Sequence, residues 1–219
     1  MEVWEIDLEC TSPFHTTGTV AGSFIQVLRT GRSLNGGDVY IPATHLKGVM
    51  RCEAERIMRT MQDIPCYITG DPGDKGNIKL CDEGEKGGIL CPVCSVFGVP
   101  HGEEGGGYRE GKIRVMDFFL TDGGDRRIEK RSHVTINREY QVKEEGALYS
   151  EEAVPARSIF SGRIIIRTTL TDEEDRLLEG CIHAMADYGI GRDRSRGFGK
   201  VSARIQKTGR IMPRGDSPC

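Results

Sequence analysis

The sequence predicts an α+β fold, on three observations. Two segments, Thr44 to Met61 and Thr171 to Gly189, repeat apolar residues at helical spacing. Alternating or β-branched apolar segments flank both. Glycine-rich stretches without periodicity interrupt the pattern and read as insertions.

Taken in order, Glu2 to Cys10 alternates, with Trp4, Ile6, Leu8 and Cys10 on one face, and reads as a half-buried strand. A Gly/Ser/Thr-rich stretch to Asp38 reads as a loop too long for a plain connection. The first helix carries Leu46, Val49, Met50, Ala54, Ile57, Met58 and Met61 on one stripe. Thr44 is its candidate N-cap, and Pro42 sits where its missing N–H does no harm. Residues 62–111 are acidic and Gly-rich and read as a loop-like insertion. Lys112 to Leu120 is a strand. His133 to Val142 and Ala147 to Val154 pair as a hairpin across Glu144 to Gly146. Ile159 to Leu170 is a β-branched strand. The second helix opens on a capping box, Thr171 with Glu174, and buries Leu177, Leu178, Cys181, Ile182 and Met185. Phe198 to Ile205 is the last strand, and 206–219 a frayed tail.

The order β-α-β-(hairpin)-β-α-β is the ferredoxin-like split βαβ pattern. It makes residues 1–205 one domain, with an insertion at 62–111 and a hairpin within 121–156. Helices cover one sheet face, and RNA-recognition folds use the other.

No run approaches the ~18 apolar residues of a membrane span, and Met1 to Cys10 lacks the regions of a signal peptide. The expectation is a cytoplasmic chain that meets no membrane. The net charge is −3, but it is uneven. Residues 26–61 carry 6 basic and 3 acidic side chains, and residues 187–219 carry 8 and 3. Acidic segments separate the two. A fold that joins the basic segments makes a basic face on an acidic body.

In a reducing compartment, clustered cysteines point to metal. Cys91-Pro-Val-Cys94 can aim both sulfurs at one ion, and Cys66 and Cys81 lie upstream. Four thiolates satisfy a closed, structural Zn²⁺ site, with His101 as a substitute for Cys66 or Cys81. Cys10, Cys52 and Cys181 read as small core fillers, and Cys219 has no evident role.

Thr44, Lys47 and Arg51 share one side of the first helix, near its N-terminus, and suit phosphate. The run from Gly189 to Lys200 combines Gly189, Gly191, Gly197 and Gly199 with Arg192, Arg194, Arg196 and Lys200. Its glycines permit close backbone approach and its cations hold phosphate. It is neither a P-loop nor a dinucleotide fingerprint. His15 is a candidate general base and Asp38 a candidate metal or proton holder, each without partners nearby in sequence.

Four segments, in order, resemble the CRISPR RAMP proteins. Ile41-Pro-Ala-Thr-His-Leu-Lys-Gly-Val-Met-Arg51 is similar to their "I-P-(G/A)-S-S-L-K-G-x-(L/M)-R". Cys91-Pro-Val-Cys94-Ser-Val-Phe-Gly98 is similar to "C-x-x-C-x-(L/V)-F-G". Ile136-Asn-Arg138, then Ala147-Leu148-Tyr149 and Glu152-Ala-Val-Pro155, resemble "I-D-R … (A/G)-L-(F/Y) … E-x-(V/I)-P". Gly189 to Lys200 resembles "G-G-x-x-S-R-G-(F/Y)-G-K". The likeness spans about residues 1–205 and is strongest to the backbone subunit of type III effector complexes.

That resemblance implies an RNA-recognition-like palm that binds guide RNA and a hairpin thumb that kinks the guide–target duplex. It also implies stacking with copies or other CRISPR effector subunits as a filament on guide and target RNA. The implied RNA-binding set is His15, Arg29, Arg32, Thr44, His45, Lys47, Arg51, His133, Arg138, Arg192, Arg194, Ser195, Arg196 and Lys200. In cutting members, an aspartate in the loop after the first strand works with a divalent metal. Here Gly22 to Thr30 holds no acid, and Asn137 stands where the motif has Asp. The reading is therefore an antiviral RNA-binding subunit that does not cut. One rival is an endonuclease using Mg²⁺ or Mn²⁺ and Asp38 or another loop acid. Another is a guide-processing nuclease with His15 or His45 as base. The third is a zinc-stabilised module unrelated to RNA.

Overall fold

The structure is a computed structural model and describes residues 2–30, 37–61, 90–99, 109–121, 128–141 and 143–209. Its elements are β1 (Glu2–Cys10), β2 (Thr17–Ala21), β3 (Phe24–Val27), β4 (Tyr40–Ile41), α1 (Ala43–Met61), α2 (Pro92–Phe97), β5 (Gly98–Val99), β6 (Arg109–Glu110), β7 (Ile113–Val115), β8 (Phe118–Leu120), β9 (Glu129–Ile136), β10 (Lys143–Ala153), β11 (Ile159–Ile166), α3 (Asp172–Tyr188) and β12 (Val201–Thr208). The expected mixed α+β character is borne out.

The main sheet runs β12-β1-β11-β8-β4, with β7 also on β11, and every pairing is antiparallel. Alternation along β1 sends Trp4, Ile6, Leu8 and Cys10 into the core, as expected. Phe160, Ile164 and Ile166 of β11 join them. Leu46, Met50, Ala54 and Met58 of α1 pack on this face, with Leu177, Leu178, Cys181, Ile182 and Met185 of α3. Each fully buried Leu, Ile, Met or Phe among them is worth about 1.5–3 kcal/mol. The capping box of α3 forms in both directions: Thr171 Oγ1 accepts from Glu174 N–H, and Glu174 Oε2 accepts from Thr171 N–H. Lys112 then clamps the Glu174 carboxylate at 2.7 and 2.8 Å.

Several local expectations give way to tertiary contacts. The helix α1 begins at Ala43, so Thr44 lies inside its first turn and is not the cap. The Ala43 N–H donates instead to Asp117 Oδ1 at 2.7 Å, from a residue 74 positions away. Asp117 is free to do so because the expected strand 112–120 breaks into β7 and β8 around it. Cys52 is exposed on α1, unlike buried Cys10 and Cys181. The insertion is not all loop, since α2, β5 and β6 fall within it.

The long loop after β1 holds the hairpin β2–β3, which joins a second sheet in the order β2-β3-β10-β9. Gly22 and Ser23, between two apolar runs, were the available signal. The β9–β10 hairpin forms, but its turn follows Asn137 rather than Glu144. Asn137 Oδ1 accepts from the Glu139 and Tyr140 N–H groups at 3.0 and 3.1 Å and fixes the bend there. The last strand starts at Val201, because 189–200 forms a folded loop of its own.

Candidate nucleic-acid interface

The two central strands of the main sheet leave Glu5, Asp7 and Glu9 of β1, and Ser161 and Arg163 of β11, on the face away from the helices. Glu5 stands opposite Arg163 and Asp7 opposite Arg204 in register. The three carboxylates outnumber the guanidiniums of Arg163 and Arg204, and no aromatic lies on this face of β1 or β11, since Trp4 and Phe160 point into the core. The aromatics of this face stand beside β11 instead: Phe119 of β8, opposite Ser161, is exposed and stacks on Tyr40 of β4 with ring centres 5.9 Å apart.

The concentration of outward cations lies in 189–200. This run is a packed structure, not a flexible turn. Ile190 N–H donates to Gly199 O at 2.8 Å, Gly199 N–H to Pro13 O at 2.8 Å, and Arg192 N–H to His15 O at 2.9 Å. Lys200 O accepts from the Thr11 and Ser12 N–H groups. Ile190 and Phe198 anchor it in the interior. Arg192, Arg194, Ser195, Arg196 and Lys200 are all exposed. Asp193, largely covered, pairs with Arg192 at 3.1 Å and Arg196 at 3.2 Å and sets their directions. Arg196 Nη1 also donates to Tyr149 Oη at 2.8 Å, and Arg131 lies over the Phe198 ring, so the loop is tied to β9 and β10. Tyr149 stacks on His133, whose Nε2 lies 2.8 Å from the buried Glu151 carboxylate. His133 is thus held within the hairpin, whereas Arg138 is exposed in its turn.

The structure does not bring the whole predicted set together. His15 is fully buried, with Nδ1 2.6 Å from Glu152 O, and cannot meet RNA or substrate from solvent. Arg29 is mostly covered and pairs with Glu152 at 2.6 Å. The same carboxylate accepts from Val27 N–H at 3.1 Å. Glu152, seen in sequence only as part of a motif, is the fastener of β3 to β10. Arg51 pairs with Glu55 at 3.1 Å, donates to Gly98 O at 2.8 Å and lies 3.7 Å from Cys94 Sγ. His45 accepts from Gly191 N–H at 3.2 Å. His45 and Arg51 therefore occupy opposite flanks of α1, one against the glycine-rich loop and one against α2. Thr44 is exposed between them, and Arg32 lies outside the described residues.

Lys47 is half-buried on the Arg51 flank. Burial, then the neighbouring Arg51 charge, push its ammonium below the usual lysine range, against a smaller opposing pull from Glu110. An anion arriving there would relieve both. His45 is likewise pushed below the usual imidazole range, by burial and then by Arg194. Its folded form therefore prefers the neutral, accepting imidazole. The stability it contributes is complete above pH 6.5 and is lost as pH falls below that value. We expect the wild-type chain to lose more thermal stability between pH 7.5 and 5.5 than His45→Gln, by up to about 1 kcal/mol. Parallel melting curves check this, and equal losses would mean that His45 does not hold the loop.

Cys91 caps α2, and its sulfur accepts from Cys94 N–H at 3.5 Å. Both sulfurs leave one tight turn, with Arg51 beside the second. That geometry fits half of a thiolate zinc site. Cys66, Cys81 and His101 lie outside the described residues. Among the described residues no three His, Cys, Asp or Glu side chains cluster to hold a metal. Asp38 is exposed before β4, with its backbone bonded to Thr30. No helix among the described residues is long and apolar enough to cross a membrane.

No curated protein matches the sequence. A chain of a solved structure described as "Type IV-B CRISPR Complex" shares the fold with TM-score 0.64 at 14% identity, over 99% of this chain and 95% of that one. The sequence model of the RAMP superfamily matches residues 7–202, which takes in the end of β1, both long helices, the cysteine pair and the whole glycine-rich loop. The chain belongs to the RAMP superfamily.

Proposed function

We propose that this chain is a guide-RNA-binding backbone subunit of a type III CRISPR effector complex, cytoplasmic, active in antiviral defence and without cleavage of its own. The observation that carries the reading is the glycine-rich loop, whose backbone is bonded inward while Arg192, Arg194, Arg196 and Lys200 face out. Family membership and the fold shared with a chain of a CRISPR complex support it. The strand order β12-β1-β11-β8, with α1 and α3 on one face, supports reading the main sheet as a ferredoxin-like palm. The β9–β10 hairpin is the thumb that shapes the guide–target duplex, and relatives or copies stack beside it along guide and target RNA.

Binding of single-stranded RNA tests the reading. Affinity should be sequence-tolerant and fall with salt, as phosphate contacts require. Replacing Arg194 and Lys200 by Ala should lower the magnitude of the salt slope by about 0.7 for each lost phosphate contact. Anisotropy titrations at several salt concentrations read this, and a wild-type chain that ignores RNA at low salt sinks the proposal.

We also propose a structural zinc held by Cys66, Cys81, Cys91 and Cys94. Protein purified without added metal should contain about one zinc per chain, and Cys91→Ser should contain less than about a tenth of that. Elemental analysis decides. A metal-free wild-type chain that melts normally overturns the assignment.

A further inference from the structure

A cleft of about 600 Å³ lies where the middle of α1 meets the end of α3 and the glycine-rich loop. Its size falls within the range of small-molecule sites. Three side chains make it unlike an ordinary surface dent. Tyr188, at the last turn of α3, is 61% exposed. The Arg56 guanidinium lies over the Tyr188 ring, 4.8 Å from its centre. Buried Glu53 accepts from Arg56 Nη1 at 2.7 Å and fixes its edge. The Arg56 side chain is therefore held by the ring and by the carboxylate, yet stays 54% exposed. Arg194 and Ser195 of the loop supply the cleft's facing wall. Asp193, also in that wall, is neutralised by Arg192 and Arg196 and leaves the positive charge of Arg194 to face the cleft.

A guanidinium backed by an aromatic ring is a flat surface on which a nucleobase stacks. A second arginine and a hydroxyl opposite it suit a phosphate. We propose that this cleft takes one unpaired nucleotide of a single-stranded RNA, its base on Arg56 and its phosphate at Arg194 and Ser195. The inference rests on the RNA-binding reading and adds a base-contacting subsite to it. None of the motifs includes Arg56 or Tyr188.

The test compares two RNAs of equal length on the full chain, one intact and one abasic throughout, so that both carry the same phosphates. Arg56→Lys keeps the charge and removes the plane. It should weaken intact RNA by at least about 5-fold and leave abasic RNA unchanged. Tyr188→Ala, at an exposed residue, should give the same pattern. Equal weakening of both RNAs, or of neither, overturns the subsite while the RNA-binding reading stands. A wild-type chain that binds neither RNA overturns both. An Arg56→Lys chain that loses AMP binding but keeps intact-RNA affinity assigns the cleft to a free nucleotide and overturns the RNA-borne source.

Discussion

Gly199→Ala will disrupt the glycine-rich loop and, on the proposed RNA-binding reading, abolish RNA binding. At this position φ is +78°, and an added Cβ would lie 1.9 Å from the backbone oxygen of Ile190. Backbone cannot swing aside as a long side chain can. The Ile190–Gly199 hydrogen bond and the Gly199–Pro13 bond both pass through this residue, so relief of the clash breaks them together. The expected loss is about 3–4 kcal/mol, from overpacking plus left-handed strain. Gly197 is the control. Its φ is +87°, but nothing lies within 4 Å of an added Cβ. Gly197→Ala should cost only about 1 kcal/mol, from strain alone. Urea denaturation and RNA titration of both variants separate the terms. Equal, mild effects would mean that the loop is not packed as described.

The second large effect is expected at Glu152. Its carboxylate holds Arg29 and the Val27 N–H, and its own backbone oxygen meets His15. Side-chain exposure of the pair is 17% and 16%, so truncation leaves a poorly solvated guanidinium and an orphaned amide. Glu152→Ala should cost about 2–3 kcal/mol. The double variant with Arg29→Ala should cost less than the sum of the two singles by at least about 1 kcal/mol. Strict additivity would show that the ion pair contributes nothing to docking the β2–β3 hairpin.

Elements whose cause is local were legible. Strand β1 follows from its own alternation, and α3 from its own capping box and stripe. Elements whose cause is distant were not. No property of residues 42–45 announces that Asp117 will receive the first amide of α1. His15 was legible only as a candidate base or RNA contact in a polar loop, because the glycine-rich loop that covers it lies about 175 residues further on. Arg29 was read as a cation in search of phosphate, since its partner Glu152 is remote in sequence; Arg51 was read so too, although its ion-pair partner Glu55 lies one turn on and only Gly98 is remote. Arg56 and Tyr188 look unremarkable on separate helices, and only the packing of α1 on α3 lets them meet. The glycine-rich loop was legible as a site because composition marks it, but its rigidity came from the β1 end of the chain.

The contacts of Tyr149 have a mechanical consequence. Its hydroxyl takes Arg196, its ring takes His133, and Arg131 one strand over covers Phe198. Loop and hairpin are thus pinned at two points on neighbouring strands, which removes the swivel that a single pin would leave. On the proposed reading, an RNA strand that grips the loop also sets the angle at which the hairpin leaves the body. The hairpin acts as a lever, Tyr149 is near its fulcrum, and the spacing of whatever its tip touches is fixed by the length of the arm rather than by its own affinity.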